Sequence, residues 1–191
     1  MKDSMKSVCP ILLVFFSLVC YAQPLKKDFH QWVQTPPMGW NSWDFFGSTI
    51  TEAEVNANDD YIAAHLKESG WKYIIVDIRW YVTNDKSGGY HQTNPGYSID
   101  AYGRIHPAVN RFLSSLNGKG FKPLAEYIHS KGLSFGIHII RDIPIIGLKN
   151  SLPVLNSAVT TKNIYPGKDQ RTWLKDMYCV DNTKKCTQDY Y

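Results

Sequence analysis

The stretch WKYIIVDIRWYV, Trp71 to Val82, decides the fold class of this chain. Its centre is a continuous run of β-branched residues, without the alternation of apolar and polar residues that a half-exposed strand shows. Such a run is typical of a strand buried on both faces, as in a parallel sheet. We therefore predict a strand over Trp71 to Val82 that lies inside an α/β domain.

A helix is predicted directly before this strand. Thr51 and Glu54 in the sequence TEAE have the spacing of a capping box, in which each side chain accepts from the other residue's backbone N–H group. Apolar residues fall on one helical face from Val55 to Leu66, and Gly70 supplies the C-terminal stop. The stretch from Met38 to Trp43, before the helix, fits a short first strand.

The same order repeats after the strand. GFKPLAEYIHSKG, Gly120 to Gly132, has apolar residues at helical spacing and ends in another glycine. LSFGIHII, Leu133 to Ile140, reads as the next strand. Alternating strands and helices imply βαβ units and a parallel sheet. The pattern then gives way to a loop from Arg141 to Tyr191, where a helix is expected to start.

About three βα units are therefore predicted in 191 residues, a length that suits one domain. The connection over residues 83–119 is rich in Gly, Pro, Asn and Asp and reads as a long loop. Two architectures stay open at this point. One is a small open α/β sheet, and the other is the first part of an eight-unit barrel, which takes about 250 residues.

The first 22 residues have the organisation of an export signal. Lys2 and Lys6 are positively charged, Ile11 to Cys20 is apolar, and CYA precedes Gln23 with the small residue that a signal peptidase prefers. The apolar run is shorter than the roughly 20 residues of a spanning helix. We expect a soluble, exported protein, periplasmic or extracellular, that begins at Gln23.

The same segment has two alternative interpretations. The segment could be a membrane anchor, which its length disfavours, or Cys20 could carry a lipid, although Leu18 and Val19 lack the usual small residue. Residues 23–34 form a polar leader, and residues 35–191 form the domain.

The net charge indicates which classes of partner to expect, and the cysteine content bears on disulfide formation. The net charge is +4, and +3 without the signal, with basic residues scattered rather than clustered, so no nucleic-acid partner is expected. Cys179 and Cys186 are the cysteines of the exported part. In an oxidising compartment they could form a short-loop disulfide.

Chemistry is expected at the carboxyl ends of the strands, where parallel α/β folds gather functional groups. The residues at these three positions are Trp40 and Trp43, then Asp77, Arg79 and Trp80, then His138 and Arg141. An unpaired buried carboxylate after a β-branched run would be costly. Asp77 is therefore either in an ion pair with Arg79 or Arg141, or an acceptor for the hydroxyl groups of a ligand.

His138 has two interpretations, a satisfied core histidine or a ligand-binding residue. A metal site made by Asp77 and His138 lacks a third ligand at a recognisable spacing. The chain has no Gly-rich phosphate loop, nucleophile elbow or paired-cysteine zinc motif. No metal and no cofactor are predicted.

TPPMGWNSWDFFG, WKYIIVDIRW and YIHSKGLSFGIHI together resemble the opening of glycoside hydrolase family 27, the α-galactosidase (melibiase) family. The resemblance runs from Thr35 to about Ile140. It implies a (β/α)8 TIM barrel followed by a β-sandwich, a carbohydrate substrate, and retaining hydrolysis of a galactose-like sugar through two aspartates. Residues 35–191 would then be the N-terminal part of the barrel, with about its first three βα units.

The resemblance also implies which residues bind the sugar. Trp43 matches the tryptophan that stacks on the sugar, while Trp40 packs, and Asp77 matches the first of two adjacent carboxylates that bind sugar hydroxyls. His138 stands where the family has a tyrosine in strand three. The substrate-binding residues predicted on this basis are Trp43, Asp77 and His138.

Two further positions depart from the family. Ile78 stands at the second aspartate and Arg79 at the cysteine that follows. The resemblance places the missing carboxylate near the C4 and C6 hydroxyls of galactose. L-arabinopyranose has the same ring stereochemistry without C6, so a β-L-arabinopyranosidase competes with the α-galactosidase interpretation.

No catalytic residue is predicted in this chain. The family's nucleophile and acid/base follow strands four and six, and strand four is expected shortly after Tyr191. Asp176, Asp181 and Asp189 lie in loop-like or pre-helical sequence and are not assigned. Retaining hydrolysis needs two carboxyl groups about 5–5.5 Å apart. A chain without such a pair would be inactive by itself, and the alternative is a non-catalytic sugar-binding or decayed fragment.

Overall fold

Three short parallel strands form the sheet that organises the fold. The computed structural model describes residues 35–140, 142–168 and 173–191. Within them the sheet has the order β1-β2-β3, with β1 Gly39–Asn41, β2 Tyr73–Val76 and β3 Ser134–Ile137. All neighbours are parallel, so the three carboxyl ends lie at one edge. The predicted parallel α/β arrangement is confirmed.

Helices cross between these strands. The elements outside the sheet are α1 Trp43–Phe46, α2 Glu52–His65, α3 Lys122–Ser130, α4 Ile145–Lys149 and α5 Thr161–Ile164, with 3-10 turns at Gly47–Thr49, Lys67–Ser69, Leu113–Gly118 and Gln188–Tyr190. Helix α2 joins β1 to β2, and α3 joins β2 to β3. Inside the described ranges, no helix is long and apolar enough to cross a membrane.

The ends of α2 follow from local sequence, as predicted. The Thr51 hydroxyl accepts from the Glu54 N–H, and the Glu54 carboxylate accepts from the Thr51 N–H at 2.8 Å, which completes the capping box. Gly70 has φ 94°, a left-handed conformation that glycine adopts without a Cβ clash. The turn after the helix therefore leads directly into β2.

The predicted strands are longer than the observed ones. The strand predicted over Trp71 to Val82 ends at Val76, because the chain turns from Asp77 onward and Arg79 has φ 74°. The guanidinium of Arg111 donates to the Arg79 carbonyl and holds this turn. The residues after the strand are also apolar because they pack in a buried turn. In this turn Trp80, Tyr81 and Val82 are at most 3% exposed.

The first and third strands are shortened in the same way. The strand predicted over Met38 to Trp43 spans only Gly39–Asn41, since Trp43 begins helix α1. The strand predicted over Leu133 to Ile140 spans Ser134–Ile137. In both cases polar side chains directly after the strand, Ser42 and His138, lie at the carboxyl edge of the sheet.

The main core lies between the sheet and its two crossover helices. The buried residues of this cluster share contacts across β2, α2 and α3, and they include Val55, Ile62, Ile74, Val76, Phe112, Leu124 and Ile128. Residues 83–119 contain no strand, as the loop prediction states, apart from isolated bridges and the 3-10 turn before α3.

The region after β3 contains short helices and strands, so the loop predicted from Arg141 to Tyr191 is wrong where those elements lie. Strands β4 Asp142–Pro144 and β5 Met177–Cys179 pair antiparallel, and α4 and α5 lie between them in the chain. A second apolar cluster includes Ile143, Leu148 and Ile164. Elements of three to five residues are too short to show a hydrophobic period, which explains the missed prediction.

Several sequence predictions concern the chain ends. The signal over 1–22 and the leader over 23–34 lie outside the described residues. The helix expected at the C-terminus is a 3-10 turn, Gln188–Tyr190. Cys179 and Cys186 are both described, and no disulfide joins them.

Candidate functional site

Three polar side chains meet at the carboxyl edge of the sheet, one from the end of each strand. Asn41 is the last residue of β1, Asp77 follows β2, and His138 follows β3. Asn41 Nδ2 donates to Asp77 Oδ2 at 2.7 Å, and His138 Nδ1 lies 2.7 Å from Asp77 Oδ1. The parallel register brings together residues up to 97 positions apart in sequence, with the carboxylate at the centre.

The hydrogen bonds of Asp77 leave part of its acceptor capacity unused. Oδ1 accepts from the backbone N–H of Ile78 at 2.7 Å as well as from His138, and Oδ2 accepts from Asn41. An ionised carboxylate has about four lone-pair positions, so one remains on Oδ2. The side chain of Asp77 is 12% exposed. A ligand hydroxyl that reaches it would donate to the remaining position.

The geometry also determines which nitrogen of His138 carries the proton. A carboxylate only accepts hydrogen bonds, so Nδ1 donates to Asp77 Oδ1. In the neutral ring, Nε2 is then an acceptor, and the side chain is 54% exposed. Asp77 and His138 can therefore each accept a hydrogen bond from a hydroxylated ligand. The interpretation of His138 as a buried core histidine is wrong.

Backbone contacts hold these two residues in place. The buried Ser42 hydroxyl accepts from the Asp77 N–H at 2.9 Å, and the His138 N–H donates to the Val76 carbonyl at 2.9 Å. The indole N–H of Trp80 donates to the His138 carbonyl at 3.0 Å. These hydrogen bonds hold Asp77 and His138 just beyond the last paired residues of their strands. The polar cluster is therefore fixed before any ligand binds.

Trp43 is linked to the same cluster through Asn41. Its backbone N–H donates to Asn41 Oδ1 at 2.8 Å, so one amide side chain positions both Trp43 and Asp77. The half-buried Trp43 ring lies 5.7 Å from the Tyr90 ring, while Trp40 packs edge-on against Phe46. Trp40 thus packs against the main core, and Trp43 lies beside the polar cluster; the stacking of Trp43 on a sugar stays a prediction.

Ile78 follows Asp77 in the chain but does not line open space. Its side chain is buried, with only 4% of the residue exposed, and its N–H is the one that binds Asp77 Oδ1. An apolar side chain therefore fills the position next to the carboxylate, where it can neither donate nor accept a hydrogen bond.

The ion pair between Asp77 and Arg79 is not formed, and Arg141 lies outside the described residues. The guanidinium of Arg79 instead binds Asp85 at 2.6 and 2.8 Å and Asp176 at 2.8 Å, and all three side chains are fully buried. Burial acts to lower the pKa of Arg79, but the hydrogen bonds that Arg79 donates to Asp85 and Asp176 outweigh it and raise that pKa. Arg79 stays charged.

Asp176 and Asp181, which the sequence does not assign a role, accept hydrogen bonds from neighbouring side chains. Asp176 accepts from Arg79 and from the Tyr97 hydroxyl at 2.6 Å, and burial together with this bond raises the pKa of Tyr97. Asp181 accepts from the backbone and hydroxyl of Thr183, and Asp189 is exposed. Among the residues that the structure describes, no cluster of His, Cys, Asp or Glu side chains could hold a metal ion.

Two residues of this site were missed at the sequence level. Asn41 lies in the GWNSW sequence, and its position near the end of a predicted strand could have identified it as a site residue. Tyr90 lies in the long loop, where no periodic pattern marks it. Its ring contacts Trp43, and burial raises its pKa against the opposing effect of Arg79, so its hydroxyl remains protonated at neutral pH.

Curated relatives match part of the chain. The α-galactosidase A of Cellvibrio japonicus is 32% identical over 123 residues, which are 64% of this chain and 26% of that enzyme. The α-galactosidase of Cyamopsis tetragonoloba is 37% identical over 106 residues, 55% of this chain and 21% of that enzyme. The chain thus spans about a quarter of the length of these relatives. No protein-family model matches the chain.

A solved structure matches more of the chain. It is a family 27 β-L-arabinopyranosidase from Geobacillus stearothermophilus, in complex with arabinose, with 48% sequence identity and a TM-score of 0.80. The match covers 86% of this chain and 38% of the solved one. The two proteins share an α/β fold over the matched part.

Proposed function

Since this chain belongs to glycoside hydrolase family 27 over the part that it shares with these relatives, we propose that it supplies sugar-binding residues of a retaining glycoside hydrolase. The proposed reaction is the hydrolysis of terminal α-D-galactosyl or β-L-arabinopyranosyl residues in carbohydrates. The observation that carries the proposal is the Asn41–Asp77–His138 cluster beside Trp43.

Each residue of the cluster has a distinct proposed role. The free acceptor position on Asp77 Oδ2 binds a ring hydroxyl, and Nε2 of His138 binds a neighbouring one. The ring face of Trp43 carries partial negative charge. It packs against the C–H groups on one side of the sugar, which carry partial positive charge. A polar edge and an aromatic face together match the two kinds of surface that a pyranose presents.

Ile78 favours β-L-arabinopyranosides over α-D-galactosides. Its buried apolar side chain stands where the family resemblance has a carboxylate near the C4 and C6 hydroxyls of galactose. A galactoside would bring a C6 hydroxyl to a surface without an acceptor, and an arabinopyranoside has none to satisfy. The 48% identity to an arabinopyranosidase supports the same preference.

The wider organisation of the protein is also proposed. We infer that residues 35–191 form the first part of a (β/α)8 barrel, with about three βα units, and that residues 1–22 are an export signal followed by a leader to residue 34. The charged start and the apolar run from Ile11 to Cys20 support export to the periplasm or the exterior. No residue of this chain is assigned the role of nucleophile or acid/base.

The test uses the complete gene product that carries this chain. Its kcat/KM is measured on p-nitrophenyl β-L-arabinopyranoside and α-D-galactopyranoside, for the wild type and for Asp77→Ala. A hydrogen bond to a charged group contributes about 1.5–3 kcal/mol, so Asp77→Ala should lower kcat/KM by at least about tenfold on both substrates. Asp181→Ala, which removes a carboxylate from an exposed turn, is the matched control. Equal effects of the two substitutions would contradict the proposed role of Asp77, and a wild type inactive on both substrates would remove the proposal.

A further inference from the structure

Three aromatic rings form a row that leads away from the polar cluster. The ring centroids of Trp43 and Tyr90 are 5.7 Å apart, with their planes at 32°, and those of Tyr90 and Trp173 are 6.1 Å apart, with their planes at 54°. We call Trp43, Tyr90 and Trp173 the aromatic row. Its first two members are half-buried, whereas Trp173 is 48% exposed, so the row runs from the site towards solvent.

The middle ring is held from the protein side. The guanidinium carbon of Arg79 lies 5.4 Å from the centroid of the Tyr90 ring, within the range of a cation–π contact. Arg79 is itself fixed by Asp85 and Asp176 in the buried ion cluster. Tyr90 therefore stacks against a rigid support, and its other contacts in the row are with tryptophans.

The outer ring is exposed but its backbone is anchored. The side-chain amide of Gln92 donates from Nε2 to the Trp173 carbonyl at 3.0 Å and accepts at Oε1 from the Lys175 N–H at 3.0 Å. This pair of bonds ties the segment of Trp173 to the loop that carries Tyr90. The ring of Trp173 therefore presents an aromatic face to solvent from an anchored segment, where a ligand can contact it.

We propose that the aromatic row binds the sugar unit on the leaving-group side of the scissile bond, with Trp173 as its outermost contact. The inference rests on the proposed function. An enzyme that removes a terminal sugar holds that sugar beside Asp77 and His138, so the substrate continues only in the direction of the leaving group. The row begins at Trp43 beside the polar cluster and ends at the exposed Trp173, and its rings suit the apolar faces of a second pyranose.

Two substrates with the same terminal sugar separate this role from packing. One is a disaccharide in which that sugar is linked to glucose, and the other is the corresponding glycosyl fluoride, whose leaving group is too small to reach Trp173. The complete gene product is compared with Trp173→Ala, Trp173→Phe and Tyr61→Ala. Tyr61 is 59% exposed on the outer helix α2 and serves as a matched aromatic control.

For Trp173→Ala, the ratio of kcat/KM on the disaccharide to kcat/KM on the fluoride should fall about tenfold, the effect of losing one apolar contact in a pocket. Trp173→Phe should restore most of the ratio, and Tyr61→Ala should leave it unchanged. The ratio stays at the wild-type value if Trp173→Ala changes neither kcat/KM or lowers both equally. Either result would overturn the inference and leave the proposed function intact. A wild type that cleaves neither substrate would remove the proposed function and this inference with it.

Discussion

Replacing Arg79 by methionine removes the charge at the centre of a buried cluster and keeps most of the volume of the side-chain stem. Three charged hydrogen bonds are lost, two to Asp85 at 2.6 and 2.8 Å and one to Asp176 at 2.8 Å. Neither carboxylate can reach water, since both side chains are fully buried. Two negative charges would remain close together without the guanidinium that donates to both of them.

The magnitude follows from this burial. Breaking a buried ion pair by removing one partner costs about 3–5 kcal/mol, because the charge left behind is not solvated. In a barrel of about 250 residues each kcal/mol lowers Tm by about 2 °C, so Arg79→Met should lower the Tm of the complete gene product by roughly 6–10 °C. The aromatic row should also loosen, since Tyr90 loses the cation that supports its ring.

Arg104→Met is the matched control in a thermal melt of the complete gene product. Arg104 binds Asp100 at 2.7 Å, a similar distance, but the two side chains are 36% and 20% exposed. An ion pair so accessible to water contributes about 1 kcal/mol or less. Adding Asp85→Asn and Asp176→Asn to Arg79→Met should recover part of the loss. The reasoning is refuted if Arg79→Met and Arg104→Met lower Tm equally.

Three further predictions concern the site and its surroundings. Asn41→Ala removes the bond that holds Asp77 Oδ2, so kcat/KM should fall about tenfold on both p-nitrophenyl glycosides, and an unchanged value would exclude Asn41 as a positioning residue. Ile78→Asp should shift the ratio of kcat/KM towards the α-galactoside by the worth of one contact, about 1–3 kcal/mol, and a constant ratio would mean that Ile78 does not face the sugar. Burial acts to raise the pKa of Asp100, but hydrogen bonds from Arg104 outweigh it and lower that pKa below its usual 3.8. The stabilisation is therefore present above that usual value and is lost as the pH falls through the lowered pKa, so Asp100→Asn should lower Tm at pH 7 and lose this effect in strong acid.

The crossover helices were predictable because their signals are local. The capping box of Thr51 and Glu54 and the left-handed stop at Gly70 lie within 20 residues of one another and need no distant contact. The parallel arrangement followed from the alternation of elements. Strand ends were less predictable, because Trp80 to Val82 are apolar for packing reasons in a turn and not because they continue β2.

The region after β3 shows what sequence patterns miss. Strands β4 and β5 are three residues long and are separated by more than 30 residues, so neither a period nor a turn signal connects them. The contact that ties this region to the rest, Arg79 to Asp176, spans 97 residues. Such contacts depend on the whole fold, and a local pattern carries no information about them.

The partner of Asp77 illustrates why the chemistry of the site needed the structure. In a continuous strand, Asp77 and Arg79 would lie on the same face, two residues apart, and an ion pair between them would be the simplest expectation. The left-handed conformation of Arg79, with φ 74°, breaks that alternation and turns the guanidinium towards Asp85 and Asp176. The same turn leaves Asp77 to His138 and Asn41.

This backbone turn therefore gives two charged residues that are close in sequence, Asp77 and Arg79, different roles. A buried cluster in which Arg79 binds two carboxylates stabilises the loop, and a partly exposed carboxylate two residues earlier keeps an acceptor position open. Had Asp77 paired with Arg79, bonds from the guanidinium would have competed for its remaining lone pair, and its capacity to bind a hydroxyl would have been lower. The conformation of Arg79 thus matters to the proposed sugar site as much as Asp77 does. Its own contact with the residues beside that site is the one with the ring of Tyr90.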